Sequence, residues 1–203
     1  MIKRSSKKFI TENLLANPSW NILDIGCGYN ANKLASVICD VQDLSDYYTD
    51  KKFIKLIDKK LPFGDNEFDF VIASHVMEHV EDVDFFIKEL ERVSKKGYIE
   101  LPTMLEDNLV FENKKDHLWH MDFDDVENRL LISKKIQYFE PIITVSSAKK
   151  FYEIFRKSLV LELFWEDSID YKIDKSTVNI LKRISILNLL KKYFSKRLRM
   201  IFK

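Results

Sequence analysis

Ile22-Leu23-Asp24-Ile25-Gly26-Cys27-Gly28 is the stretch that decides how this 203-residue chain is read. An apolar run from Trp20 to Ile25 has the character of a buried strand, and it stops at two glycines flanking Cys27. Glycines at such a stop let the backbone come close to a ligand, and open α/β sheets bind ligands at the carboxyl ends of their strands. The segment from Gly26 to Ala31 also satisfies a dinucleotide fingerprint with alanine in third place, and Asp46 lies at a suitable distance downstream. Asp24 argues against that reading. A carboxylate two residues ahead of the first glycine would crowd a pyrophosphate with like charge, whereas a cationic ligand group welcomes it.

Working outward, residues 5–17 read as a short amphipathic helix, residues 35–41 as a second strand and residues 53–57 as a third. Leu61-Pro62-Phe63-Gly64-Asp65-Asn66 is a turn cluster, and Phe68 to Ser74 is a fourth strand, apolar on both faces like a central parallel strand. Residues 82–96 place apolar side chains at 83, 86, 87, 90 and 93, with acids at the start and lysines at the end, and Gly97 reads as the stop. Residues 98–101 form a fifth strand closed by Pro102. This alternation predicts an α/β fold, a Rossmann-like and mostly parallel sheet flanked by helices. After Pro102 the pattern predicts a hairpin or lid insertion (strands at 117–123 and 129–133). A helix at 146–157, a strand at 159–165 and a basic helix from about residue 176 follow.

The order and spacing of three blocks resemble the class I S-adenosylmethionine-dependent methyltransferases, in particular those with a compact methyltransferase type 11-like core. The blocks are Ile22 to Gly28, Leu61 to Val71 and Ala73 to Val80, and the resemblance spans residues 20–102. It implies S-adenosylmethionine as cofactor. By it, Asp24, Gly26, Cys27 and Gly28 would line the methionine end, and Asp40 would take the ribose hydroxyls. Asp58 would lie near the adenine, and Ser74 and His75 would border the cofactor. The chain departs from the pattern in three places. The crossover from Gly28 to the second strand is short enough to reduce its helix to about a turn, which makes Asp43 a competitor of Asp40. One residue is missing between Asp58 and Leu61, and Tyr29 stands where relatives carry a small residue.

All four histidines, at 75, 79, 117 and 120, follow the predicted fourth and fifth strands. Methyl transfer gains most from positioning and dehydration, and a histidine can remove a proton from an oxygen or nitrogen acceptor. His117 and His120 are the catalytic candidates, within a run from Asp107 to Asp122 that reads either as a substrate lid or as a solvated loop anchored by Trp119. His75 to His79 spells H-x-x-E-H. Zinc hydrolysis would need both histidines on one helical face plus a further carboxylate, and His75 ends a strand, so no metal ligand set is expected.

The net charge of +1 conceals an asymmetry: residues 175–203 carry nine basic side chains and no acidic one, leaving residues 1–174 at about −8. The division predicted is a methyltransferase domain over residues 1–174 and a basic amphipathic helical extension over 175–203. Ile180, Leu181, Ile184, Leu187, Leu190, Phe194, Leu198 and Ile201 form its apolar stripe. Such a helix suits an anionic membrane surface, an acidic partner or docking on the acidic body. No segment resembles a base-reading module, so no nucleic-acid partner is expected. Cys27 and Cys39 read as reduced thiols, and the basic N-terminus lacks the apolar core of a signal peptide. No apolar run approaches the roughly 20 residues of a membrane span. The expected location is cytoplasmic, with peripheral contact at the inner membrane face allowed by the tail. The expected activity is methyl transfer to a small-molecule or glycan/lipid-linked acceptor. The rivals are a non-catalytic cofactor-binding scaffold and an NAD-dependent oxidoreductase.

Overall fold

A computed structural model describes residues 1–174 and 184–201. Its main sheet contains β1 (Ile2–Arg4), β2 (Ile22–Ile25), β3 (Val37–Asp40), β4 (Lys52–Lys55), β5 (Phe70–Ser74), β6 (Lys96–Pro102) and, farther along, β9 (Val160–Glu166), in the order β1-β9-β6-β5-β2-β3-β4. Strands β2 to β6 pair in parallel. β9 runs antiparallel to β6, and β1 antiparallel to β9. This is the Rossmann-like α/β arrangement expected from the strand-and-turn pattern.

Burial explains the continuous apolar strands. Ile22, Ile38, Phe70 and Ile72 face one side of the sheet, where Ile10 and Leu14 of α1 (Lys7–Ala16) cover them. Leu23, Ile25, Val71 and Ala73 face the other, under Phe86, Ile87 and Leu90 of α2 (Val83–Val93). With both faces covered, no strand position can be polar without a partner. Asp82 caps α2 by accepting the Phe85 N–H, and the helix ends at Ser94 rather than at Gly97. Gly97 instead belongs to β6: a Cβ there would stand 2.6 Å from Trp165 Nε1 and 2.7 Å from the Val71 carbonyl oxygen. Its role is close packing, a tertiary demand invisible in a helix-stop rule.

The short crossover between β2 and β3 holds no helix. A tyrosine cluster supports it in the helix's place. The Tyr48 hydroxyl donates to the Gly28 carbonyl at 2.8 Å and accepts the Ala31 N–H at 3.0 Å. Tyr47 packs edge-on between Tyr48 and Tyr29.

The predicted hairpin forms as β7 (Trp119–Asp124) and β8 (Arg129–Lys134), and β10 (Tyr171–Asp174) pairs in parallel with β8. It is not a lid. Met121, Phe123, Leu130 and Ile132 are buried in the same core as α2. The segment leading to it folds into α3 (Met104–Leu109) and α4 (Asn113–Asp116), so the solvated-loop alternative is also set aside. α5 (Val145–Leu159) precedes β9. β1, β10, α3 and α4 went unread because each is too short to show a period.

α6 (Ile186–Ile201) buries none of its residues, and Leu187, Leu190, Phe194, Leu198 and Ile201 are exposed. The predicted start of this helix near residue 176 and the stripe positions Ile180 and Leu181 lie outside the described residues. No described helix is long and apolar enough to cross a membrane.

Candidate active site

A cavity of about 480 Å³ opens where β2 to β5 end, within the range of small-ligand sites. Ile25 and Gly26 contribute from the first turn, Asp40 and Val41 from the end of β3, and Leu56 to Lys59 from the end of β4. His75, Val76 and the segment from His79 to Asp82 close it from β5, with Phe85 and Phe86 of α2 at its back.

Gly26 is held at φ +65°, and a Cβ there would lie 2.3 Å from Val76 Cγ2. The backbone can therefore form this wall only as glycine. Asp40 lines the cavity with its carboxylate fixed: one oxygen accepts the Gly28 N–H and the other the Gln42 N–H, each at 2.9 Å. Second lone pairs on both oxygens remain for a diol. Asp43 lies outside the cavity lining, exposed, accepting from Ser45 and 3.5 Å from Lys55 Nζ. Asp58 lines the cavity with an exposed side chain, and Val41 and Ile57, apolar yet 75% and 88% exposed, flank that end.

Asp24, Cys27, Gly28 and Ser74 do not line the cavity. Asp24 is buried below the first turn and accepts the Asn32 N–H at 2.7 Å, so it holds the turn rather than facing a ligand. Burial pushes its carboxyl up to about 6, against the favourable Asn32 hydrogen bond and the charges of Lys7 and Lys51. Burial likewise drives the Cys27 thiol up to about 12, which leaves it protonated and no nucleophile. Cys27 and Cys39 are both free.

His75 adopts φ +54°, a left-handed conformation tolerated more by histidine than by most residues. That turn sets its ring between two carboxylates, with Nδ1 3.3 Å from Glu78 and Nε2 3.4 Å from Glu100. Burial works against its charge, but the two flanking carboxylates of Glu100 and Glu78 prevail and lift its pKa to about 10. Glu100 in turn is held far below the ordinary carboxylate range: burial opposes this, and His75, Lys7, Tyr98 and Arg156 outweigh it.

The two catalytic candidates part company. His120 is 2% exposed, with Nδ1 2.8 Å from Asp107 and Nε2 accepting the Ile136 N–H at 2.9 Å. Both nitrogens are engaged, so in this arrangement His120 has neither one free to take a proton from an acceptor, and it does not line the cavity. His117 binds the other Asp107 oxygen through Nδ1 at 2.5 Å and leaves Nε2 free. Asp107 is fully buried. Burial would raise its pKa, yet the bonds from His117 and His120 hold it below the ordinary value. His79, unassigned by the sequence reading, is the histidine that reaches both places. It lines the cavity, and its ring stands edge-on to His117 with centroids 4.6 Å apart.

Residues 23–99 match the family described as methyltransferase domain. No curated protein matches the chain. Among solved structures, the YcgJ protein of Bacillus subtilis is 18% identical over 46% of this chain and 51% of its own, with a TM-score of 0.36. This chain thus spans about half the length of that relative. PH0226 of Pyrococcus horikoshii is 15% identical over 80% of this chain and 92% of its own, with a TM-score of 0.45. A SAM dependent methyltransferase from Aquifex aeolicus is 14% identical over 76% of this chain and 87% of its own, with a TM-score of 0.40. The glycine wall, the anchored Asp40 and the family match meet in one stretch: residues 23–99 are similar to the methyltransferase domain family, and that match supports S-adenosylmethionine as the cofactor.

Proposed function

We propose that this chain transfers a methyl group from S-adenosylmethionine to a small-molecule or glycan/lipid-linked acceptor that enters beside His79. The observation that carries the reading is the cavity itself, floored by Gly26 and bordered by Asp40 at the strand ends of the methyltransferase domain. When bound, the cofactor supplies an electrophilic methyl on a sulfonium. The protein's share is then positioning and exclusion of water. Asp40 suits the ribose diol, Val41 and Ile57 offer apolar faces to a purine beside Asp58, and Gly26 permits close approach at the methionine end.

The oxidoreductase alternative loses support from the crossover rather than from Asp24, which holds the turn and does not line the cavity. A dinucleotide pyrophosphate rests on a helix N-terminus, and the crossover after Gly28 contains no helix. Titration with S-adenosylhomocysteine and with NAD, followed by melting temperature, tests the choice. S-adenosylhomocysteine should raise it and NAD should not, and Gly26→Ala should abolish the rise. A protein that ignores S-adenosylhomocysteine ends the proposal.

The exposed apolar side chains of α6, set among Lys191, Lys192, Lys196, Arg197 and Arg199 with no acid, favour peripheral contact with an anionic membrane. Flotation with anionic vesicles should recover the full chain and not a 1–174 truncation; equal recovery would remove this element.

A further inference from the structure

We propose that Glu78, His79 and His117 form a binding site for one divalent transition-metal ion at the acceptor side of the cavity. Each offers one ligand atom, and the three atoms lie within 4.8 Å of one another. Both histidines are arranged as metal ligands usually are, with one ring nitrogen bound elsewhere and the other left with its lone pair. His79 Nδ1 is 3.0 Å from the Asp116 carbonyl oxygen, and His117 Nδ1 is 2.5 Å from the Asp107 carboxylate. These outer partners fix the tautomer and raise the basicity of the free Nε2. The His117 pairing is a carboxylate–histidine dyad, and His120 steadies the same carboxylate from its other oxygen.

Glu78 supplies the second, independent observation. Its side chain is fully buried, and neither carboxylate oxygen accepts a hydrogen bond; its charged neighbour is His75, 3.3 Å away. A buried carboxylate in that condition costs stability unless something further satisfies it. A cation shared with two imidazoles does so.

Two histidines and one carboxylate match catalytic zinc and related sites, which keep positions open for water or substrate. The imidazoles select transition ions over Mg²⁺ and Ca²⁺, which prefer oxygen ligands. Glu78 and His117 are buried while His79 is exposed on the cavity, so the open coordination positions face the space beside the cofactor site. The expectation of no metal came from weighing His75 with His79. The ligand that completes the set comes from the end of α4 instead.

The test uses the metal-stripped full chain, titrated with Zn²⁺ by calorimetry and with Co²⁺ by its visible absorption. One ion per chain should bind, unaffected by excess Mg²⁺ or Ca²⁺. His79→Ala, at an exposed position, should keep the metal-free melting temperature and lower Zn²⁺ affinity at least tenfold. Glu78→Gln should lower it similarly, and Asp107→Asn by about tenfold through His117. Undiminished Zn²⁺ affinity in both His79→Ala and Glu78→Gln overturns the site, as does failure of the wild type to bind Zn²⁺ or Co²⁺. S-adenosylhomocysteine binding, measured on the same samples, is scored separately: its loss would sink the methyl-transfer reading and leave the metal site standing.

Discussion

The cavity and the histidine cluster that meets it at His79 are built by different means. On the cofactor side, the chain shapes the site with its own backbone: Gly26 turns at a strand end, and Asp40 is tied down by N–H groups of Gly28 and Gln42, close in sequence. On the histidine side, α3, α4, β7 and the segment after β5 bring Asp107, His117, His120 and His79 together mainly through their side chains, with the Asp116 carbonyl and the Ile136 N–H holding two of the rings. A backbone-built site can lose ligand affinity while the fold stands. A wall of buried polar side chains ties its chemistry to stability, because each member removed strands another.

The sharpest way to break this contrast is Asp107→Ala. It leaves two buried imidazole N–H donors unpaired, at about 1–3 kcal/mol each. For a chain of this length, each kcal/mol moves the melting temperature by roughly 2–4 °C. Thermal unfolding should therefore drop by several degrees at least. A variant that melts with the wild type would show that the wall is not held by this network.

Asp24 sits between the two regimes, a buried carboxylate serving a local turn. Its pKa is raised from an unfolded value near 4 to about 6. The native state keeps the proton where the unfolded chain has lost it, so stability falls as pH rises from about 4 through 6 and then levels off. About two pH units correspond to about 3 kcal/mol. Asp24→Asn keeps an oxygen for the Asn32 N–H and carries no charge. Its melting advantage over the wild type should grow between pH 5 and pH 7.5 and then stay constant. Parallel curves for the two proteins across that range would show that the buried charge costs nothing.

What the sequence disclosed follows the same division. Runs such as Phe70–Ser74 and the glycine turn announce themselves because strand burial and turn geometry act within a few residues. Gly26 and Asp40 lie on the cavity at the strand ends where the sequence put them, and α2 was legible through its period. Asp24 stood out in the sequence, but nothing local told that its carboxylate would accept the Asn32 N–H. The histidine wall was illegible in its roles. His117 and His120 sit three residues apart on one carboxylate, yet only the register of β7 against β8 and the Ile136 N–H decides that His120 is closed while His117 keeps a free nitrogen. His79 was passed over because its partners are 37 and 38 positions later.

The finest distinction lies on the cofactor side, between Asp40 and Asp43. Sequence spacing assigned Asp40 but left Asp43 a competitor, because the shortened crossover shifts the frame by which a ribose acid is assigned. Position separates them: Asp40 is on the cavity and braced on both oxygens, whereas Asp43 is exposed and engaged with Ser45 and Lys55. Asp40→Asn removes a charge-assisted acceptor worth about 1.5–3 kcal/mol, so S-adenosylhomocysteine affinity should fall by roughly 10- to 100-fold. Asp43→Asn should change it by no more than about twofold, the scale of an exposed, screened charge. Calorimetric titration of both variants decides the matter. A larger loss in Asp43→Asn would mean that the turn after β3 moves when the cofactor binds, and that bracing by backbone N–H groups does not mark the ribose acid.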